Sequence, residues 1–287
     1  MTNEIQSHAM LVSLSISTWT ARRHDKRVTR EVADNHHTDT RAGRYNKNLL
    51  PIDAKSYQAV ITAAGTARTS HYEQTLPWSD EGARILPAQN YFAYVEKYRT
   101  LENAFNLTVQ EFVREYPALR DSAELALNGL FNALDYPDTS DLARRFSMTM
   151  HVLPIPSGDD FRVSIHENEA QAIRAQIKCD VNASLDLAMN DLYVRLHTAV
   201  SRMVERLSTS DAVFRDSLIE NARELVDVLP RLNLRNDPHL TVAINRIKRE
   251  LCSFDAQTIR EDDTLRADLA ARASQIQSDL AGYMGNT

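Results

Sequence analysis

The densest run of charged side chains lies between positions 22 and 47. Arg22, Arg23, Lys26, Arg27, Arg30, Arg41, Arg44 and Lys47 are set against Asp25, Glu31, Asp34 and Asp39, so eight bases meet four acids and the segment carries +4. The whole chain carries −6, so everything outside the segment must carry −10. Guanidinium and ammonium groups neutralise phosphates, and Trp19 and Tyr45 flank the run as rings on which bases can stack. A second arginine–aromatic cluster follows in Arg68, His71, Tyr72 and Trp78. The candidate nucleic-acid-binding set is therefore the eight bases with Tyr45, Arg68 and Trp78. The competing reading is a solvated charged loop, which the interspersed acids and the acidic total favour.

Other chemistry finds less to work with. His24, His36, His37 and Asp39 have metal-ligating side chains, but no paired spacing on a helix supports a site, and water-facing histidines explain them. No metal or other cofactor is called for. The 7 glycines form neither GxGxxG nor GxxxxGK, and HExxH and GxSxG are missing. This argues against P-loop ATPases, kinases, zincins and standard hydrolases. Glu261, Asp262 and Asp263 precede a helical pattern, where acids start helices more often than they form a catalytic dyad. Cys179 and Cys252 cannot build a disulfide framework, and neither has a basic pattern around it to lower its pKa. The expectation is a protein without enzymatic activity.

Most of the chain has helical periodicity. Tyr91, Tyr94, Tyr98, Leu101, Phe105, Thr108 and Phe112 make a heptad seam on a helix starting at Pro87 and expected to stop at Tyr116–Pro117. A second helix should span 118–134. The longest runs from Glu167 to Leu207 with Ile173, Ile177, Val181, Leu185, Met189, Leu192, Leu196, Val200, Met203 and Leu207 on one stripe. At 1.5 Å per residue it reaches roughly 60 Å, so it should lie antiparallel to the 88–115 helix or to a second chain. Three more helices follow. One is capped by Asp211, carries Phe214, Leu218, Leu225 and Leu229, and ends at Pro230. The next opens with Asp237–Pro238, and the last with Asp263 or Thr264.

Period-two alternation marks three strands: Val12, Leu14, Ile16; Phe146, Met148, Met150, Val152; and Phe161, Val163, Ile165. The last two flank a Pro/Ser/Gly/Asp link and read as a hairpin, which the first strand joins. The segment 21–48, with little apolar content, reads as a long loop or arm. The fold expected is mainly α: a helical bundle with long antiparallel, coiled-coil-like helices and a small three-stranded antiparallel sheet. Its parts, 1–166 with the strands, basic arm and first helices and 167–287 with the long helix and C-terminal helices, are expected to form one continuous elongated domain.

Several segments, in order, resemble an uncharacterised family of tailed-bacteriophage proteins: WTARR at 19–23, AGRYNK at 42–47, AR at 67–68, HYEQTLPW at 71–78, RILP at 84–87 and DFRV at 160–163. A looser likeness in element order links the chain to a bacterial domain of unknown function encoded near MoxR-type AAA+ ATPases. The resemblance implies a nonstructural phage protein in the host cytoplasm. No run of about 18 apolar residues occurs, so no membrane span is expected. The opening residues do not read as a signal peptide. The function expected is a nucleic-acid-associated protein that oligomerises through its helices, in replication or recombination. The alternative is a helical protein-interaction module that binds a host protein or serves an AAA+ ATPase. Candidate partners are a second copy, DNA, and a host or phage protein.

Overall fold

A computed structural model describes residues 2–78, 82–160, 166–209 and 215–284. In chain order the elements are α1 (Thr2–His8), β1 (Ala9–Ser17), β2 (Arg22–His24), α2 (Lys26–Asn35), β3 (Asn46–Asn48), α3 (Lys55–Glu73), β4 (Leu76–Pro77), β5 (Arg84–Pro87), α4 (Tyr91–Leu127), α5 (Thr139–Ala143), β6 (Ser147–Leu153), α6 (Glu167–Leu207), α7 (Ser217–Leu232), α8 (Pro238–Glu250), α9 (Ala256–Glu261) and α10 (Asp263–Met284). The fold is mainly α with a minor β component, as the periodicity requires. It forms two compact units that interleave along the chain. Unit 1 is Met1–Ser13, Ser70–Val95 and His151–Thr287; unit 2 is Leu14–Thr69 and Glu96–Met150.

The main sheet has four strands, in the order β4-β5-β1-β6, and β2 pairs with β3 in a separate ribbon. In unit 1, β1 runs antiparallel to β5 with Ala9 opposite Pro87 and Leu11 opposite Ile85, and β4 pairs Leu76 with Ile85. The sequence anticipates β1 and β6. The expected third strand, 161–165, lies outside the described residues. β4 and β5 take its place in the count and were not foreseen. Two and four residues are too few to show a period, and Pro77 and Pro87 argue against strands.

Unit 1 is built around α6. Its inward stripe from Val181 to Leu207 meets Leu269, Ala273, Ile276 and Leu280 of α10 in one continuous core with α7 and α8. The two long helices are antiparallel. Gln277 Nε2 donates to Ser201 Oγ at 2.8 Å, and the rings of Tyr193 and Tyr283 stack at 5.7 Å. Within the chain, the principal partner of α6 is therefore α10 and not the 88–115 helix. Two helix starts follow their sequence signals. Asp237 accepts from the His239 and Leu240 N–H groups ahead of Pro238, and Asp262 accepts from Thr264 and Leu265 at the head of α10. Helix α7 differs. Its buried face is Ile219, Ala222, Val226 and Leu229, while Leu218 and Leu225 flank it, and Pro230 lies inside the helix. A proline this near a C-terminus removes one hydrogen bond without preventing a last turn. Asp211 and Phe214 lie outside the described residues.

In unit 2 the core is aromatic. Trp19, Phe105, Phe112, Tyr116, Tyr136 and Phe146 are buried with Leu49, Val60 and Leu142. Helix α4 does not stop at Pro117 but runs through it to Leu127. Pro117 is exposed, so the carbonyl it leaves unbonded can meet water, while Phe112 and Tyr116 anchor the preceding turn in the core.

Two glycines should respond in opposite directions. A Cβ on Gly158 would lie 2.9 Å from the Arg174 carbonyl oxygen of α6, so Gly158→Ala should destabilise unit 1 by about 1–3 kcal/mol. A Cβ on Gly65, inside α3, would meet nothing within 4 Å, so Gly65→Ala should stabilise by about 0.5–1 kcal/mol. Urea titrations of both variants against the wild type test the pair.

Candidate functional site

The basic segment is not a loop but an ordered strand–helix–strand module in unit 2. β2 and β3 pair antiparallel with Arg22 opposite Asn48, Arg23 opposite Lys47 and His24 opposite Asn46. The Leu49 N–H donates to the Ala21 carbonyl at 2.8 Å and closes the ribbon. Between the strands, α2 turns Thr29 and Ala33 inward. The Thr29 hydroxyl donates to the Asp25 carbonyl at 2.8 Å, accepts from the Tyr45 N–H at 3.0 Å, and lies 3.0 Å from His24 Nε2. Two small side chains thus supply the buried face, which a search for large apolar residues overlooks.

Both ends of α2 are capped. Asp25 Oδ1 accepts from the Arg27 and Val28 N–H groups at 3.0 and 3.1 Å. These hydrogen bonds, the one from Val28 foremost, together with the Lys47 ammonium, hold the Asp25 carboxyl below its ordinary pKa. At the other end the His37 N–H donates to the Asp34 carbonyl and the Thr38 N–H to that of Ala33, with His37 at φ 51°. This is a Schellman cap in which histidine holds the left-handed position usual for glycine. His24 and His37 therefore have local structural roles. Among the described residues no three His, Cys, Asp or Glu gather as a metal site.

Lys47 occupies the centre of the module, only 5% exposed. Its Nζ donates to the Leu130 carbonyl at 2.7 Å and lies 2.8 Å from Asp135 Oδ2 and 3.5 Å from Asp25 Oδ2. Arg23 approaches Asp135 at 3.4 Å. Two cations and two carboxylates make a neutral quartet, so Lys47 cannot reach a polyanion. Arg41 is chelated by Asp39, Nε at 3.1 Å and Nη2 at 3.0 Å. Arg27 Nη2 donates to the Gly129 carbonyl at 3.2 Å. Arg22, Lys26, Arg30 and Arg44 are exposed and have no carboxylate within 4 Å among the described residues.

The aromatic candidates separate from this surface. Trp19 is buried, stacked on Phe112 at 6.4 Å and edge-on to Tyr116 at 5.8 Å. Tyr45 is 39% exposed. Arg68, on α3 in unit 2, donates to the Ile16 carbonyl at 3.2 Å. Trp78 belongs to unit 1, where it packs against the core.

The HYEQTLPW segment has a structural task in unit 1: it closes the end of α3. Arg195 donates to the Glu73 and Thr75 carbonyls at 2.9 and 2.7 Å, Asn90 to that of Gln74 at 2.9 Å, and the Thr75 hydroxyl to that of His71. Arg195 also lies 2.7 Å from Asp191. Arg84 donates to Thr75 Oγ1 at 2.7 Å and lies over the Tyr72 ring at 4.6 Å. Buried His71 has its Nδ1 2.7 Å from the Tyr94 hydroxyl, and its Nε2 has no partner among the described residues. Burial, with the Arg84 charge behind it, pushes His71 down to about 4.

The arrangement defines a mainly α protein with a charged strand–helix–strand module. No family model, curated protein or solved structure matches the chain.

Removing one member of the quartet should be costly. Lys47→Met leaves Asp25 without a cationic partner and Asp135 with only Arg23, whose side chain is 66% exposed, and unit 2 should lose about 3–5 kcal/mol, read as a lower urea midpoint. A second expectation concerns acid. Folded His71 titrates near 4 against 6.5 for the free side chain, so on acidification the unfolded chain takes up a proton that the fold refuses. Stability should be intact above pH 6.5 and fall by up to about 3 kcal/mol on going to pH 4. Urea midpoints from pH 7 to 4 check this: the wild-type decline should exceed that of His71→Gln by the His71 share.

Proposed function

We propose that this is a nonenzymatic nucleic-acid-associated protein that contacts phosphates through the exposed cations of the β2–α2–β3 module. The observation that carries this reading is how folding divides the module's charge. Asp25 and Asp39 are drawn onto Lys47 and Arg41, and Asp135, from outside the segment, balances Arg23. Left at the surface are Arg22, Lys26, Arg27, Arg30 and Arg44 against Glu31 and Asp34. Five positive charges face two negative ones, on a chain that is acidic overall. The order of charges along α2 points the same way. Lys26 and Arg27 occupy its first turn and Asp34 its last, the reverse of what the helix dipole favours. The Asp25 carboxylate serves the dipole at that end, and the cations beside it add nothing to helix stability but do attract an anion.

The resemblance to tailed-phage proteins supports a role in replication or recombination in the infected cell. Self-assembly belongs to the proposal, since a few ion pairs per copy bind a long polyanion well only when several copies act together. The alternative, a helical module that captures a host protein or serves an AAA+ ATPase, draws support from Ile52, Leu125 and Leu134 in unit 2, all more than four-fifths exposed.

Replacing Arg22, Lys26, Arg30 and Arg44 together with Ala should abolish retention of labelled nucleic acid at low salt, with the circular dichroism spectrum unchanged. Asp39→Asn combined with Arg41→Ala, which removes a neutral pair, should change retention little. Wild-type protein that retains neither single- nor double-stranded nucleic acid at low salt would end this reading and leave the protein-interaction module. Light scattering with and without nucleic acid measures assembly.

A further inference from the structure

Resting on that reading, we infer that the module takes double-helical nucleic acid by its phosphodiester backbone alone, through four ion pairs, without stacking on bases. The first support is the fate of the rings. Single-strand binders combine a cationic groove with aromatic side chains that stack on successive bases. Here Trp19 is buried among Phe112, Tyr116 and Tyr57, leaving Tyr45 as the aromatic side chain exposed in the module. One partly exposed ring is a poor platform for successive bases.

The second support is the count of available charges. Lys47 and Arg23 are balanced in the quartet and Arg41 is chelated by Asp39, while Arg27 keeps its charge but is tied by Nη2 to the Gly129 carbonyl and is not counted as a direct phosphate contact. Arg22, Lys26, Arg30 and Arg44 remain. A duplex presents its phosphates at regular intervals on a stiff lattice, so it can be held without reference to sequence. Recognition of this kind has a numerical signature. Four neutralised phosphates give a slope of log K against log salt of about −3.6, a loss of about 150-fold between 50 and 200 mM.

The test is a fluorescence-anisotropy salt series on the full chain, with random-sequence duplex DNA, duplex RNA and single-stranded DNA of equal length. The two duplexes show whether either backbone geometry is preferred. Wild type should bind duplexes of different sequence equally, with the slope above, and Tyr45→Ala should leave duplex affinity unchanged. Arg44→Ala should reduce the slope to about −2.7, whereas Asp39→Asn, by freeing Arg41, should steepen it to about −4.5 and tighten binding. Asp39→Asn combined with Arg41→Ala should return the slope to the wild-type value, which separates the freed cation from any change in loop shape. Tighter binding of the single strand, lost in Tyr45→Ala, would overturn the duplex inference while nucleic-acid binding stood. A wild-type slope near −7, as all eight bases would give, would overturn the count of four. No binding by any probe at low salt would defeat the underlying reading as well.

Discussion

A lysine ammonium taken out of water has to be surrounded, and much of the module's form follows from how Lys47 is surrounded. Its three neighbours come from separate parts of the chain: Asp25 at the head of α2, the Leu130 carbonyl, and Asp135 in the turn at 133–135. Desolvating a charge costs several kcal/mol unless partners and hydrogen bonds compensate, so these segments hold one arrangement or lose the compensation together. Asp25 links two requirements, since one carboxylate oxygen caps α2 and the other faces Lys47. The same constraint sorts the surface charge. Carboxylates used inside the module cannot screen the cations outside it, and a segment with interspersed acids becomes more basic at its face than its composition implies.

Unit 1 meets a related demand with arginine. Helices end with carbonyls that have no intrahelical partner, and several of those ends are buried here. Arg195 serves the end of α3. Arg266, itself buried, donates to the Leu207, Arg206 and Thr209 carbonyls where α6 ends. Arg223 reaches the Cys252 and Phe254 carbonyls after α8. A guanidinium fork can serve two or three carbonyls at once, so these side chains hold helix ends in place of glycine caps, consistent with a chain of only 7 glycines. An arginine count by itself therefore says little about how many of them face a ligand.

Much of the fold was legible in sequence because it rests on short-range periodicity. The stripe of α6 from Val181 to Leu207 and the cap at Asp237 follow from 3.6-residue repeats and from side chains two or three residues from their partners. The candidate site was legible only as a list of bases. Nothing near Lys47 announces Asp135, 88 positions later, and nothing near Trp19 announces Phe112. The α2 helix was missed because its buried face is Thr29 and Ala33, and its C-cap was missed because His37 stands where glycine is usual. Pro117 and Pro230 misled in the opposite direction: proline disfavours a helix locally, but a well-anchored turn of Phe112 and Tyr116 outweighs one lost hydrogen bond.

The sequence by itself determined the helical class, the positions of most long helices, the first strand, and the presence of a basic run in an acidic chain. These are properties of neighbours along the chain, where spacing and residue type are enough. Only the tertiary structure decided that α6 lies against α10, that the basic run is a capped strand–helix–strand module, and which of its cations remain at the surface. The reason is that burial and ion pairing depend on residues far apart in the chain. Lys47 and Arg44 are the same kind of charge three positions apart, yet one is enclosed by carboxylates and the other is left facing solvent.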